Sequence, residues 1–289
     1  MAEIDAKRVK DLRERTGAGM MDCKRALADA GGDPEKATLL LRERGLAKAG
    51  KREGRATSEG LIAIALAGAS GGMVELGCET DFVARTDDFA GLANALARAV
   101  AKDAKLTTPA ALESARLDGE AASERIKAAI AKLGENVVLK RVARIAQPSA
   151  LVGGYVHAGG KLGVLVGLAG SAPGARLEAL AKDVAMHVAA ADPSPVAVTR
   201  EGVPAALIAK EREIYRKQAL QEGKPEKVID RIVEGKVAKF LADVCLVDQA
   251  YVKDPDRTVG ELLREAGADV AVVAFERFRL GQAEEAGGA

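Results

Sequence analysis

The alternation of apolar and polar positions divides the N-terminal part of the chain, residues 1–46, into three short amphipathic helices. Asp5 can cap the first helix, and Gly17 can end it. A second helix is predicted over residues 20–30 and a third over residues 34–45, each followed or closed by glycine. Helices this short bury little apolar surface, so we expect the bundle to pack against another part of the chain.

Residues 47–60 have no apolar periodicity and are rich in glycine and charge, which predicts a linker. Its basic residues could contact phosphate, while a solvated hinge is the simpler interpretation that the composition favours. These basic residues are Lys48, Lys51, Arg52 and Arg55.

Beyond residue 60 the apolar residues form short runs that alternate with period two, as is typical of strands. The predicted elements are a hairpin of strands 61–67 and 73–78 around a turn at 68–72, helices at 87–104 and about 120–133, and a strand at 136–145. The same order recurs with strands 151–156 and 162–168 around a turn at 158–160, a helix at 177–190 and a strand at 270–278. A repeated unit of this kind places helices on one face of an antiparallel sheet, so the predicted fold class is α+β.

The second copy of the unit carries an insertion. Two charged helices, 204–222 and 226–244, are joined by Gly223-Lys224-Pro225. This pattern predicts an antiparallel helical hairpin. A scaffolding role and a role as an oligomerisation or partner arm are both consistent with it.

Together these patterns predict a chain of several parts. They are a three-helix N-terminal domain (1–46), a linker (47–60), a core N-subdomain (61–148), a core C-subdomain (149–280) with the hairpin inserted at 203–244, and a tail (281–289). The Gly, Ala and Glu content of the tail is typical of disorder.

The composition argues against nucleic acid as a direct partner. The chain has 43 basic and 42 acidic side chains, a formal net charge of +1. Electrostatic binding to nucleic acid strengthens with the number of phosphates neutralised, and no global positive field is present to support it. Aromatic residues make up 3% of the chain, which nearly excludes a platform for stacking bases.

Cysteine usage and hydropathy indicate a cytoplasmic protein without a membrane segment. Cys23, Cys78 and Cys245 are scattered, which fits neither a zinc site nor a disulfide framework. The N-terminus is charged from Glu3 onward, and apolar runs such as 61–67 are far too short to span a bilayer.

The residues also argue against an enzyme, and no cofactor or metal site is expected. The glycine-rich stretch 68–72 lacks the following Lys-Ser/Thr of a phosphate-binding loop. Cys78 has no recognisable histidine partner, and it is expected to be a packed residue at a strand end. His187 lies on an apolar helix face, where a core histidine is the expected interpretation.

One short segment, Glu79-Thr80-Asp81-Phe82-Val83, lies between a predicted strand and a predicted helix. Binding residues are often found in such loops. The alternative is that Phe82 covers the core and Asp81 caps a turn, and composition alone favours this alternative.

Several segments resemble a known family. Residues 12–24, Leu-Arg-Glu-Arg-Thr-Gly-Ala-Gly-Met-Met-Asp-Cys-Lys, are similar to the N-terminal signature of bacterial elongation factor Ts, and residues 78–83, Cys-Glu-Thr-Asp-Phe-Val, to its second signature. Segments 134–136, 185–190 and 258–263 match further parts of the family in the same order. The resemblance extends from about residue 2 to residue 279.

The resemblance implies a ubiquitin-associated-like three-helix domain, a linker, a core of two related subdomains and a helical-hairpin insertion. It also implies a translation elongation factor of the cytoplasm that is a guanine-nucleotide exchange factor and not an enzyme. Members of the family bind elongation factor Tu carrying GDP, expel the nucleotide and let GTP bind. The expected partner is therefore elongation factor Tu, GDP-bound and nucleotide-free, and a homodimer or a 2:2 complex is left open.

The family motifs also imply which residues meet the partner. Thr80, Asp81, Phe82 and Val83 are expected at its GTPase domain, where the phenylalanine wedges between helices near the magnesium site and disturbs the metal and the phosphate loop. Further contacts are expected from Arg13, Met20, Met21, Lys24, Leu133, Gly134 and His157. The chain ends in GQAEEAGGA without the C-terminal helix of some members, so that contact is not expected here.

Two rival functions come from other classes. An RNA- or ribosome-binding accessory would use the N-terminal bundle and the basic linker, and the near-zero net charge argues against it. A structural dimer would be held by the helical hairpin, and in that case Phe82 would have no role in any activity.

Overall fold

The computed structural model describes residues 5–50, 52, 54–147, 150–171 and 174–282. Its helices are α1 (Ala6–Thr16), α2 (Met20–Asp29), α3 (Pro34–Gly50), α4 (Asp81–Ala84), α5 (Asp87–Lys102), α6 (Pro109–Ser114), α7 (Ala122–Leu133), α8 (Gly174–Ala190), α9 (Ala205–Gln221), α10 (Glu226–Val244) and α11 (Val259–Ala266). Its strands are β1 (Glu59–Ala67), β2 (Ser70–Cys78), β3 (Arg116–Leu117), β4 (Glu120–Ala121), β5 (Val137–Ala146), β6 (Ala150–Val156), β7 (Leu162–Ala169), β8 (Ala250–Tyr251), β9 (Asp254–Thr258) and β10 (Ala271–Arg279).

The chain divides into two compact units. The first unit comprises Met1–Ala63 and Val74–Val142, and the second comprises Ile64–Met73 and Ala143–Ala289. Helices α1–α7 belong to the first unit and helices α8–α11 to the second. The predicted boundaries at 46, 60, 148 and 280 remain predictions, and tail residues 283–289 lie outside the described part of the chain.

The N-terminal helices form as their sequence predicts, with one correction. Asp5 accepts a hydrogen bond from the backbone N–H of Lys7 at 3.1 Å, and Gly17 ends α1 with a φ of 66°. Helix α3, however, continues through Gly45 to Gly50, so the predicted end at residue 45 is wrong. A Cβ atom at Gly45 would lie 2.7 Å from the Cβ of Ala131 in α7, so this glycine allows the two helices to approach closely and does not end α3.

The predicted repeat is confirmed by the order of the strands. One sheet has the order β1-β2-β5 and the other the order β10-β7-β6, so in each sheet the second strand of a hairpin is central and a later strand lies beside it. In the second sheet β7 pairs antiparallel with both neighbours. Helix α8 packs on this sheet through a buried apolar cluster that includes Val184, Val188, Val164 and Val166. The α+β class follows from this arrangement.

Two boundaries in the first half of the chain differ from prediction. Strand β2 begins at Ser70, so Gly71 and Gly72 are strand residues and the turn is shorter than 68–72. Helix α7 begins at Ala122, not near residue 120, because Asp118 and Gly119 adopt positive φ angles of 50° and 92° and turn the chain between β3 and β4.

The inserted helical hairpin is confirmed. Helices α9 and α10 pack through Ala219, Ile229, Val233 and Val237, which are buried. Across the exposed side of this contact, Arg212 pairs with Glu234 at 3.0 Å and Arg216 with Asp230 at 2.7 Å.

Candidate functional site

The segment after β2 forms a short capped helix, where the sequence suggested a loop. Thr80 is the N-cap of α4, and its Oγ1 accepts a hydrogen bond from the backbone N–H of Val83 at 3.4 Å. Thr86 caps the following helix α5 by accepting from the N–H of Phe89 at 3.3 Å, and it donates to the carbonyl of Val83 at 2.8 Å. Two caps therefore fix both ends of α4.

This short helix turns Val83 inward and Phe82 outward. Val83 is 9% exposed, whereas Phe82 is 81% exposed. The interpretation in which Phe82 covers the core is therefore wrong, because consecutive helical residues point about 100° apart and Val83 occupies the inward position. Asp81 does not cap the turn either, since Thr80 does so, and Asp81 pairs with Arg85 at 2.9 Å.

A carboxylate from a distant part of the chain holds the start of α4. Glu135 Oε2 accepts hydrogen bonds from the backbone N–H groups of Glu79 at 3.1 Å and Thr80 at 2.9 Å, and its Oε1 accepts from Thr80 Oγ1 at 2.6 Å. In return, Glu79 Oε1 accepts from the backbone N–H of Asn136 at 2.7 Å. We refer to these four residues, Glu79, Thr80, Glu135 and Asn136, as the clasp.

Two linker arginines support the clasp. Arg55 Nη1 lies 3.4 Å from Glu79 Oε2, and the Arg55 carbonyl accepts from Asn136 Nδ2 at 2.9 Å. Arg52 Nη1 donates to the carbonyl of Ile130 near the end of α7 at 3.1 Å. These two arginines thus contact residues of the first unit, while the linker itself stays a prediction, and the Lys48 side chain and Lys51 lie outside the described residues.

The charges around the clasp shift two titrating groups. The hydrogen bond from the Asn136 N–H, helped by the positive charge of Arg55, lowers the pKa of the Glu79 carboxyl. Burial, with a contribution from the Glu135 carboxylate, raises the pKa of the Cys78 thiol to about 11. Cys78 Sγ donates to the Thr80 carbonyl at 3.1 Å, so this cysteine is a packed, protonated residue, as the sequence predicted, and not a thiolate nucleophile.

The N-terminal signature presents its candidate residues to solvent. Met20 and Met21 begin α2 and are 55% and 62% exposed. Lys24 follows one turn later on α2, and Arg13 lies on α1; both are exposed. The intervening Cys23 is buried in the bundle.

The end of α7 connects these candidates within the first unit. Gly134 ends α7 with a φ of 82°, and Leu133 before it is half-buried. A Cβ atom at Gly17, between α1 and α2, would lie 2.5 Å from the side chain of Lys132. The end of α7 therefore lies beside the N-terminal signature on one side and, through Glu135, beside α4 on the other.

The two histidines belong to the second unit and have different environments. His157 is exposed at the tip of the β6–β7 hairpin, where its Nδ1 lies 2.9 Å from the Tyr155 hydroxyl. His187 is fully buried, so its predicted core position is confirmed. Burial lowers the pKa of His187, and its Nε2 lies 3.0 Å from Gln249 Oε1.

Sequence reasoning missed the roles of Glu135, Asn136, Glu79 and Arg55 at this site. The local signal is an acidic residue directly after the helix-ending Gly134. Glu79 and Asn136 are 57 positions apart, so their contact becomes visible only when the fold brings β2 and the end of α7 together.

Within the described ranges, no cluster of three or more His, Cys, Asp or Glu side chains is arranged to hold a metal ion. Over the same residues, none of the helices has the length and apolar character that crossing a membrane requires.

Comparisons with known proteins agree with the motifs. A family model described as Elongation factor TS matches residues 79–282. The chain is 45% identical to Elongation factor Ts of Clostridium botulinum (strain Eklund 17B / Type B) over 289 residues, which is 98% of this chain and 94% of the relative. It is 46% identical to Elongation factor Ts of Desulfovibrio desulfuricans, covering 97% of this chain and 99% of the relative. It is also 45% identical to Elongation factor Ts of Chlorobium phaeobacteroides, covering 97% and 100%.

Proposed function

The chain belongs to the elongation factor Ts family, and from this premise we propose that it binds elongation factor Tu carrying GDP and promotes release of the nucleotide, so that GTP can bind during translation. The chain makes and breaks no covalent bond in this role. It acts as a binding protein that favours the nucleotide-free form of its partner, and elongation factor Tu is its partner in both forms.

The observation that carries the proposal is the presentation of Phe82. This phenylalanine is 81% exposed, although the short helix that carries it is capped by Thr80, held by Glu135 and anchored by the buried Val83. Burying a phenylalanine stabilises a contact by about 1.5–3 kcal/mol, and this chain leaves that gain unused in its own fold. A partner that buries the Phe82 ring gains this free energy on binding.

In the proposed mechanism Phe82 wedges between helices of the partner's GTPase domain near the magnesium site. Asp81 accompanies it and brings a carboxylate to the region where the partner holds a cation. Moving helices and adding negative charge both disturb the geometry of the magnesium ion and the phosphate loop, which weakens the hold on GDP.

The free energy needed to accelerate GDP release indicates that Phe82 does not act alone. Accelerating GDP release about a thousandfold needs roughly 4 kcal/mol, more than the burial of one phenylalanine supplies. The exposed methionines Met20 and Met21 and the half-buried end of α7 at Leu133 and Gly134 are the further proposed contacts in the first unit. His157 is a proposed contact in the second unit.

Release of a fluorescent GDP analogue from elongation factor Tu tests this function. The assay contains magnesium and excess unlabelled GDP, and it compares the wild-type chain with Phe82→Ala and Asp81→Ala. Leu66→Ala is the matched control, since Leu66 is also an exposed apolar residue, at 51%. The proposal predicts acceleration by wild type and by the control, with a clear loss in both site variants. If wild type gives no acceleration at any concentration, the exchange function is wrong, and RNA binding would be tested at low and high salt instead.

A further inference from the structure

We propose that Glu135 is the positioning residue of the exchange site, because its carboxylate holds the turn that presents Phe82 to the partner. Glu135 does not need to touch the partner to do this; it acts through Thr80 and α4. This inference rests on the proposed exchange function.

The Glu135 side chain accepts hydrogen bonds from three donors. The Glu135 carboxylate accepts from two consecutive backbone N–H groups, those of Glu79 and Thr80, and from the hydroxyl of Thr80. Hydrogen bonds to an ionised acceptor are shorter and about twice as strong as neutral ones. The 2.6 Å contact to Thr80 Oγ1 is of this short kind.

The Thr80 hydroxyl is both a donor and an acceptor of hydrogen bonds. It donates its hydrogen to Glu135 and accepts from the Val83 N–H at 3.4 Å. Donation to Glu135 fixes the rotation of the hydroxyl, which directs a lone pair at the first turn of α4. Without the carboxylate, the hydroxyl rotates and the weak cap on a four-residue helix is easily lost.

The hydrogen bonding between residues 79–80 and residues 135–136 is reciprocal. Glu79 accepts from the Asn136 N–H at 2.7 Å while Glu135 accepts from the Glu79 N–H at 3.1 Å. Each chain segment thus both donates to and accepts from the other, which fixes α4 relative to the end of α7. The proposed contacts at Gly134 and Phe82 are thereby held in one fixed arrangement.

Such fixation matters because Phe82 is exposed. A phenylalanine on a disordered loop would have to be ordered when the partner binds, and the lost conformational freedom would weaken the contact. A clasped turn has already lost that freedom in the free chain, so more of the burial energy is available to disturb the partner's nucleotide site.

A double-mutant cycle on GDP release separates positioning from general stability. It compares wild type, Glu135→Ala, Phe82→Ala and the double variant, each at a concentration that saturates elongation factor Tu. Glu135→Ala is expected to lower the maximal release rate about tenfold. In the Phe82→Ala background it should change the rate by less than about twofold, because a residue that acts through Phe82 has no effect once the ring is absent. Equal losses in both backgrounds would overturn the proposal.

Two variants supply the controls. Glu135→Gln keeps an oxygen that can accept from both backbone N–H groups, but its amide nitrogen cannot accept from the Thr80 hydroxyl, so it is expected to restore the release rate only in part. Glu124→Ala removes a carboxylate from the preceding helix α7, where Glu124 accepts from Lys127 at 3.0 Å, and should leave the rate unchanged. A Glu124→Ala chain that releases GDP as slowly as Glu135→Ala would show that removing any carboxylate from this region slows release, and would overturn the positioning role.

Hydrogen exchange on the free chain tests the clasp without the partner. The amides of Glu79 and Thr80 should exchange at least about tenfold faster in Glu135→Ala than in wild type, while amides of the buried core of α5 stay unchanged. Unchanged amides at Glu79 and Thr80 would overturn the inference. If these amides respond but wild type fails to release GDP, then the proposed function is wrong and the clasp is real, so the two failures are distinguishable.

Discussion

At the scale of single residues, the placement of the phenylalanines separates fold from function. Of the five phenylalanines, Phe89, Phe275 and Phe278 are buried, Phe240 is half-buried and Phe82 is 81% exposed. Burial of a phenylalanine contributes about 1.5–3 kcal/mol, so the chain uses its scarce aromatic residues for the core with Phe82 as a clear departure. The adjacent Val83 provides the core contact that the segment needs.

The sequence identified this segment, and only the argument from composition misjudged its orientation, since the family motif implied that Phe82 meets a partner. The motif from Cys78 to Val83 was recognisable, yet composition alone favoured a buried Phe82. The choice between Phe82 and Val83 as the inward residue depends on the phase of α4, and that phase is fixed by Thr80 and by Glu135, 55 positions away. Local propensity carries no information on such a contact.

The first prediction concerns Cys78 and its pH dependence. Burial raises the pKa of its thiol from 9.0 to about 11 in the folded chain. Iodoacetamide at a pH of about 8.5 should therefore modify Cys78 slowly in the native chain and rapidly in urea, as peptide mapping by mass spectrometry would show. The raised pKa also means that the unfolded chain releases this proton first, so stability falls as the pH rises from about 9 towards about 11. Equal modification rates in the native and urea-unfolded chain would contradict this account.

At the scale of elements, regular patterns were predicted well and short capped pieces were not. The helices and strands of the repeated unit, and the helical hairpin, follow from their hydrophobic periodicity. Helices α4, α6 and α11 and the ribbons β3–β4 and β8–β9 were missed, because segments of two to eight residues are too short to show a clear period. Helix α3 was ended too early because a glycine that permits close packing looks the same in sequence as a glycine that ends a helix.

The second prediction concerns His187, which links α8 to the segment after α10. Its Nδ1 accepts from the Val252 N–H at 3.2 Å, and Gln249, bonded to its Nε2, donates to the Asp243 carbonyl at 2.7 Å. Burial lowers the pKa of His187 from 6.5, so below that pH the unfolded chain binds a proton that the folded chain does not. The contribution of the neutral, buried His187 to the free energy of unfolding is therefore fully present above pH 6.5 and is lost as the pH falls below it.

Urea unfolding between pH about 7.5 and about 5.5 checks this dependence. His187→Gln, which removes the titrating ring, should flatten the loss of stability. A slope that is identical in His187→Gln and wild type would show that another group is responsible.

The third prediction concerns the helical hairpin. Ile229 is 1% exposed in the contact between α9 and α10, so Ile229→Ala should lower the free energy of unfolding of the hairpin by about 2–5 kcal/mol. Arg216→Ala breaks an exposed pair with Asp230 and should change it by less than about 1 kcal/mol. Hydrogen exchange of the amides in α9 and α10 measures the change in this free energy for both variants. If the two variants have equal effects, the buried apolar contact is not what holds the hairpin together.

At the scale of the whole molecule, near-neutral charge and a broad set of candidate contacts suit a protein that must bind and leave. With 43 basic and 42 acidic side chains, long-range attraction contributes little, and selectivity depends on close contacts. Dimerisation through the hairpin, or a 2:2 complex, remains a prediction that sedimentation of the chain alone and with elongation factor Tu would decide.

The fourth prediction follows from thermodynamic coupling. If the chain weakens GDP binding to elongation factor Tu, GDP must weaken the binding of the chain by the same factor. Titration of the chain into nucleotide-free elongation factor Tu and into the GDP complex should therefore give tighter binding to the nucleotide-free form, by at least about a hundredfold. Equal affinities would mean that the chain cannot promote release through differential binding.

The central claim is that Phe82 contributes directly to GDP release, and the most direct test is the maximal rate of release from elongation factor Tu, measured at saturating concentrations of the chain. At saturating chain, Phe82→Ala should release GDP about 10- to 100-fold more slowly than wild type, which corresponds to the burial of one phenylalanine. Its thermal unfolding should be unchanged, because the side chain is 81% exposed in the free chain. A Phe82→Ala chain that reaches the wild-type maximal rate would contradict the claim.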